Sequence, residues 1–223
     1  RERFRRLLSP DLAELVVNGK LNVEKGGESR VATVMFVDIR GFTALSANTQ
    51  ASEILQMLND YYELLVDIVF RHEGTIDKFI GDGMMVIWGA PVAHPDDPMR
   101  AVSAALDIRK SLEEFNFDRI SRGQAPIEVG IGINTGEVVA GYLGSSLTMS
   151  YSVIGDPVNT ASRLCSAARP GEIIISEFTH FVVKKEFRTN ELEPIRIKGK
   201  SDAMKAFAVM GKADPGLGYL QYH

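Results

Sequence analysis

Polar and apolar positions along the chain divide it into a few regular elements. Residues 31–38 are almost continuously apolar and β-branched, which predicts a strand buried on both faces. Residues 50–72 carry Ile54, Leu55, Leu58, Tyr61, Tyr62, Leu65, Ile68 and Val69, a helical stripe closed by Gly74. Two short apolar runs, 75–80 and 84–88, flank Gly81-Asp82-Gly83. They predict a hairpin with Asp82 at the turn and both glycines at positive φ. Residues 91–98 read as a loop, and Asp96 or Asp97 caps a second amphipathic helix over 98–115. The runs 127–133 and 138–143 predict another strand pair, bent at Thr135 and Gly136. Asp156 and Pro157 read as N-cap and first residue of a helix carrying Val158, Ala161 and Leu164. A strand over 172–176 and a closing hairpin, 192–198 with 204–210, follow. The order β-α-β-β-α-β predicts an α+β fold with a ferredoxin-like βαββαβ core and an additional C-terminal strand/helix subdomain.

Three segments are expected. Residues 29–210 form the folded domain, and 211–223, with three glycines and a proline, form a loosely ordered tail. Residues 1–28 form a linker that includes a helix over 11–18, entered through Ser9 and Pro10. Two readings stand open for residues 1–20: a solvated helix, or a segment transmitting signals from an upstream regulatory region. The opening RERFRRLL, without an initiator Met, favours a piece of a longer protein.

Composition narrows the function classes. At 223 residues, with 45% hydrophobic and 24% charged residues, the chain reads as one large soluble domain. A formal net charge of −4 argues against a nucleic-acid partner. No apolar run approaches the ~20 residues that cross a bilayer. The lone Cys165 rules out an internal disulfide and suits a reducing compartment. A cytoplasmic domain is expected, in a parent protein either soluble or membrane-anchored.

The chemistry begins with two carboxylates. Asp38 ends the first strand and Asp82 sits in the hairpin turn. Buried-strand carboxylates are costly unless something cationic meets them. Adjacent pairing of the two strands brings them within ~4–5 Å, the strand spacing. With a backbone carbonyl such as that of Ile39 they suit Mg²⁺ or Mn²⁺, completed by phosphates and water. Gly41 lets the backbone approach a phosphate. Alone, Asp82 reads as a common hairpin-turn residue; the pair with Asp38, beside Gly41, favours the metal reading. Asn159 and Arg163, four apart, project from one helix face. No Ser/His/Asp set suggests a protein nucleophile.

Three separated motifs, FVDIRGFT at 36–43, DKFIGD at 77–82 and VIGDPVNTASRL at 153–164, together resemble the class III nucleotidyl cyclase catalytic domain. The likeness runs from about residue 29 to 210. It implies conversion of ATP or GTP to the cyclic 3′,5′-monophosphate and pyrophosphate. It further implies that Asp38, Asp82 and the Ile39 main chain hold two Mg²⁺ or Mn²⁺ ions per active site. Gly41, Phe42 and Thr43 would wrap the phosphates, Asn159 would orient the ribose, and Arg163 would stabilise charge on the transferring phosphate. Lys198 matches a lysine that contacts the terminal phosphates, although a solvated lysine is the plain alternative beside Lys200. Where heteromeric members carry a further phosphate-binding Arg, this chain has Glu137.

The family positions that read the purine hold Lys78 and Ser152 here. A lysine only donates, which matches adenine N1, and a hydroxyl accepts from the 6-amino group. ATP is therefore the expected substrate, and the expected enzyme is an adenylate cyclase. Lys78 is also placed to pair with Asp77 or Asp82. The resemblance implies a homodimer with two interfacial active sites, because one subunit supplies the aspartates and the other the purine-reading and Asn/Arg residues. The rivals are a guanylyl cyclase and a catalytically silent dimerisation or nucleotide-binding module. A diguanylate cyclase is disfavoured because its GGDEF-like turn is absent. Direct sensitivity to bicarbonate, known in some family members, is a further expectation to test.

Overall fold

The computed structural model describes residues 27–145, 147–196 and 201–214. The helix expected over 11–18, the tail beyond 214 and Lys198 lie outside the described residues. The elements run β1 (Gly27–Ile39), α1 (Phe42–Ala47), α2 (Ala51–Arg71), β2 (Thr75–Ile80), β3 (Gly83–Trp88), α3 (Asp97–Ser121), β4 (Val129–Gly144), β5 (Met149–Ile154) and α4 (Asp156–Ala167). They continue with β6 (Ile173–Ser176), α5 (Glu177–Val183), β7 (Phe187–Glu191), β8 (Ile195–Arg196), β9 (Ala203–Met204) and β10 (Ala206–Lys212).

The fold is α+β. One eight-stranded sheet has the order β2-β3-β1-β4-β6-β10-β7, with β5 paired to β4. The β2-β3-β1-β4 part is the ferredoxin-like core, and β6 extends it through the parallel pairing with β4. Alternate residues of β1 feed two cores, which explains its unbroken apolar run. Met35 and Val37 join Met84, Val86 and Trp88 under α2 and α3. Ala32 and Val34 join Met85, Ile87, Val153 and Ala161 on the opposite face, beneath α4. On α2 the buried stripe is Met57, Tyr61, Leu65, Ile68 and Val69.

Several predicted details are corrected by the structure. The bend at Thr135-Gly136 does not exist: β4 is one continuous strand, with Ala32 opposite Gly136 and Thr33 opposite Thr135. A Cβ on Gly136 would stand 2.7 Å from Pro157, so this glycine admits the start of α4 rather than turning the chain. The partner of the second half of β4 is β5, which the pattern reading did not separate. Gly155, not Asp156, is the N-cap of α4. The second amphipathic helix continues to Ser121. At the end of α2 the left-handed residue is Glu73, with φ 61°. Gly74 is required by space, because its Cβ would lie 2.8 Å from Trp88 and Val69. In the closing hairpin, among the described residues, 195–196 and 203–204 alone pair with each other, and β10 pairs instead with β7. Gly211 and Lys212 belong to β10, where a loose tail was expected.

Candidate active site

The end of β1 and the β2–β3 turn converge. Asp38 lies opposite Gly83 on β3 and Gly130 on β4. A Cβ on Gly83 would meet the Val37 carbonyl oxygen at 2.7 Å and the Asp38 Cβ at 3.0 Å, so only glycine lets β3 pass this close. Of the two turn glycines only Gly81 takes positive φ, at 56°. Asp82 follows it, and the Ile39 N–H donates to Asp82 Oδ2 at 3.2 Å. The two carboxylates therefore flank one backbone segment. Asp38 is partly exposed and ion-paired to Arg40.

Beyond Ile39 the chain turns through Gly41, whose φ of 70° places it in the left-handed region. No atom would crowd a Cβ there, so conformation, rather than close approach, calls for the glycine. The Leu45 N–H closes on the Gly41 carbonyl at 3.1 Å as α1 begins. Phe42 and Thr43 thus stand in the opening turn, whose first N–H groups have no carbonyl partner within the helix.

Lys78 belongs to a second cluster. It pairs with Met85 on β3, and Met85 in turn lies opposite Phe36. Two strand spacings, roughly 10 Å, therefore separate Lys78 from Phe36 on β1. Its ammonium is 3.5 Å from Asp77 Oδ2, and it is this aspartate, not Asp82, that pairs with it. Ser152, on β5 opposite Gly141, is buried. Burial raises the Asp77 pKa, while hydrogen bonding from Ser152 and the charge of Lys78 act to lower it.

Asn159 and Arg163 form a third group on the exposed face of α4. Neither makes a hydrogen bond or ion pair with another described residue. The opposite face, with Thr160, Ala161, Leu164 and Cys165, is buried. It lies so close to β4 that a Cβ on Gly132 would meet the Cys165 nitrogen at 2.2 Å. Glu137 accepts a hydrogen bond from Ser29 Oγ at 2.5 Å.

The sequence of residues 25–211 matches the family model described as adenylate and guanylate cyclase catalytic domain. The chain belongs to this family. Among solved structures, the guanylyl cyclase Cya2 is 37% identical, with a TM-score of 0.82 over 86% of this chain and 97% of that one. The adenylyl cyclase CyaB of P. aeruginosa is 36% identical, with a TM-score of 0.81 over 83% of this chain and 96% of that one. The Mycobacterium tuberculosis protein Rv1320c is 37% identical over 158 residues, which is 69% of this chain and 26% of the relative. The cyclase domain thus spans about a quarter of the length of that relative.

A divalent metal, general in this family, has a suitable donor set here. Asp38 and Asp82 offer hard oxygens around one backbone segment, and a hard ion completes its shell with substrate oxygens. Among the described residues no group of three or more His, Cys, Asp or Glu is placed to hold a metal, so the protein share of the set is small. No helix among them is long and apolar enough to cross a membrane.

Two residues paired with these groups, Arg40 and Asp77, were not singled out as site residues by the sequence. Arg40 reaches from β1 to α4, donating to the carbonyls of Ser166 at 3.3 Å and Ala168 at 3.2 Å while it pairs with Asp38. A cation two places after a strand-end carboxylate was the available signal. Asp77 was noted only as a possible partner of Lys78. Its burial depends on a β-bulge that no sequence pattern announces.

Proposed function

We propose that this cyclase domain converts ATP to 3′,5′-cyclic AMP and pyrophosphate at sites shared between two copies of the chain. The adenine reading is carried by one observation: the purine-reading positions hold a lysine donor, Lys78, its ammonium 3.5 Å from Asp77, and the hydroxyl of the buried Ser152. Adenine presents an acceptor at N1 and a donor at its 6-amino group, the complement of that pair.

Asp38, Asp82 and the main chain at Ile39 would hold two Mg²⁺ or Mn²⁺ ions. Bound there, the ions supply Lewis acidity toward the 3′-hydroxyl and neutralise triphosphate charge. The N–H groups of Gly41, Phe42 and Thr43 wrap the phosphates. Asn159 holds the ribose so that its 3′-oxygen lines up with the α-phosphorus. As that bond forms, the hydroxyl gives up its proton and the bond to the bridging oxygen breaks, releasing pyrophosphate. Arg163 meets the charge that grows on the transferring group, which a permanently charged, forked guanidinium suits. Lys198 takes the terminal phosphates. Positioning and electrostatics then account for the rate, with no covalent intermediate.

A second copy would meet Asn159 and Arg163, which are exposed and have no partner among the described residues. The β4–β5 arm also exposes Val139, Leu143, Leu147 and Ile154, apolar surface that a symmetric partner would cover. An upstream region that aligns the two copies would control turnover, and use of ATP would suit a cytoplasmic domain. Likeness to the guanylyl cyclase Cya2 favours GTP as the second reading. Purified protein supplied with Mn²⁺ and either ATP or GTP separates them by chromatography of the product. Cyclic AMP is expected in excess; predominant cyclic GMP overturns the adenine reading.

A further inference from the structure

Arg40 carries a charge but has no place in the machinery set out above. It follows Asp38 by two positions, so both side chains continue the face of Ala32 and Val34 that α4 covers. Its N–H bonds the Glu128 carbonyl at 2.7 Å, which extends the pairing with β4 one residue past the end of β1. From there the guanidinium spans a gap. One Nη pairs with Asp38 Oδ1, and the other donates to the carbonyls of Ser166 at 3.3 Å and Ala168 at 3.2 Å. Gly130 of β4 makes the room: a Cβ there would stand 2.8 Å from Arg40 Cζ and 2.9 Å from Nε. Arg40 is 19% exposed and Asp38 37%, so an ion arriving from solvent meets the carboxylate while the guanidinium stays enclosed.

The end of α4 needs such a cation. The last carbonyls of a helix have no partner within it and form its negative pole. α4 has no basic residue in its last turn, so the charge that caps it comes from β1. Roughly one turn before Ser166 the same helix presents Arg163, and one turn earlier Asn159. A single side chain therefore joins the carboxylate assigned to the metal with the helix assigned to the ribose and the transferring phosphate.

A guanidinium stays charged across the ordinary pH range, so protonation does not release this contact. A divalent cation does. It takes the carboxylate oxygens for its own shell and repels the neighbouring positive charge. With Asp38 taken, Arg40 loses one of the two anchors that set its position, and α4 loses its fixed cap. We infer that Arg40 is a metal-released latch, a positioning residue that holds α4, with Asn159 and Arg163, in a resting placement until a divalent cation reaches Asp38. In a shared site, metal arriving at one copy's carboxylates frees the helix which that copy lends to the other site. The inference rests on the proposed assignments of Asp38 to the metal and of Asn159 and Arg163 to the reaction. It goes beyond them by coupling the two through a residue that touches neither metal nor nucleotide. The coupling is reciprocal: the latch weakens metal binding, and metal binding loosens the latch.

The test uses the chain without nucleotide, as wild type, Arg40→Met and Asp38→Ala. Bound Mn²⁺ is counted by loss of the electron paramagnetic resonance signal of the free ion. Hydrogen exchange of peptides covering 160–168 follows the end of α4. Met keeps the apolar stem and removes the charge. Arg40→Met is expected to bind Mn²⁺ roughly fivefold more tightly, the scale of a partly exposed ion pair. In the wild type, Mn²⁺ is expected to speed exchange at the end of α4 by roughly threefold or more, as a local opening. In Arg40→Met that exchange should already be fast and indifferent to the metal. An Arg40 that merely props the helix would leave Mn²⁺ affinity unmoved. Unchanged affinity in Arg40→Met overturns the inference. So does wild-type exchange that Mn²⁺ leaves unchanged or slows, a readout that stands even if Arg40→Met fails to fold. Asp38→Ala distinguishes the two layers. If it binds Mn²⁺ as the wild type does, the metal assignment itself fails. If it loses Mn²⁺ while α4 in the wild type ignores the ion, only the latch fails.

Discussion

The Ile39 N–H donates to the Asp82 carboxylate at 3.2 Å, tying the β2–β3 turn to the end of β1 beside Asp38. This bond makes two carboxylates, 44 positions apart in the chain, parts of one oxygen-lined corner.

Replacing either aspartate by alanine is expected to lower cyclic nucleotide formation by at least roughly 10²–10³-fold, the scale on which a main electrostatic element of an active site contributes. Product formation under saturating Mn²⁺ is the measurement. Undiminished turnover in either variant would reject the metal assignment.

Arg163 separates activity from stability. Its side chain is exposed and bonds to no described residue, so Arg163→Ala should shift folding stability by no more than about 0.5 kcal/mol. Turnover should drop roughly 10²-fold or more, in kcat rather than KM, since the charge it meets grows in the transition state. Thermal melting and steady-state kinetics on one preparation give both numbers.

Mixing subunits tests the shared site. Asp38→Ala and Arg163→Ala damage opposite halves, so a heterodimer carries one doubly damaged and one intact site. Co-expression should restore roughly one quarter of wild-type activity, from half the dimers with half their sites. If each chain completes its own site, mixing restores nothing.

Gly132→Ala is expected to destabilise strongly. The new Cβ would sit 2.2 Å from the Cys165 nitrogen and 2.5 Å from the Ala161 oxygen, backbone atoms with little room to move. Lifting α4 from the sheet should cost about 1–3 kcal/mol, the usual range for overpacking, and should also displace Asn159 and Arg163. Chemical denaturation measures the first effect.

Stability should fall in alkali. Burial pushes the Cys165 thiol up to about 11, from an ordinary value of 9.0, and also raises Tyr61 and Tyr62. The folded state therefore keeps protons that the unfolded chain releases. The stabilisation is complete below about pH 9 and is lost as pH rises through about 11. Denaturant midpoints measured across that window should decline, and the native thiol should react slowly with alkylating reagents at pH 8.

What pattern alone determined was the local framework. The stripe on α2, the β2–β3 hairpin and the run in β1 could be read because periodicity is a local property, set by which face each residue presents. Asp38, Asp82, Asn159 and Arg163 could be read because each sits at the end or on one face of such an element. Tertiary structure decided the rest. A glycine that turns the chain and one that admits a neighbour look alike in sequence: Gly136 and Gly74 read as breakers, yet Pro157 and Trp88 explain them. The burial of Asp77 needed a bulge to aim it, and Arg40 bonds to carbonyls 126 and 128 positions away in the chain. Such contacts are made by packing, and packing depends on how elements already formed settle against one another.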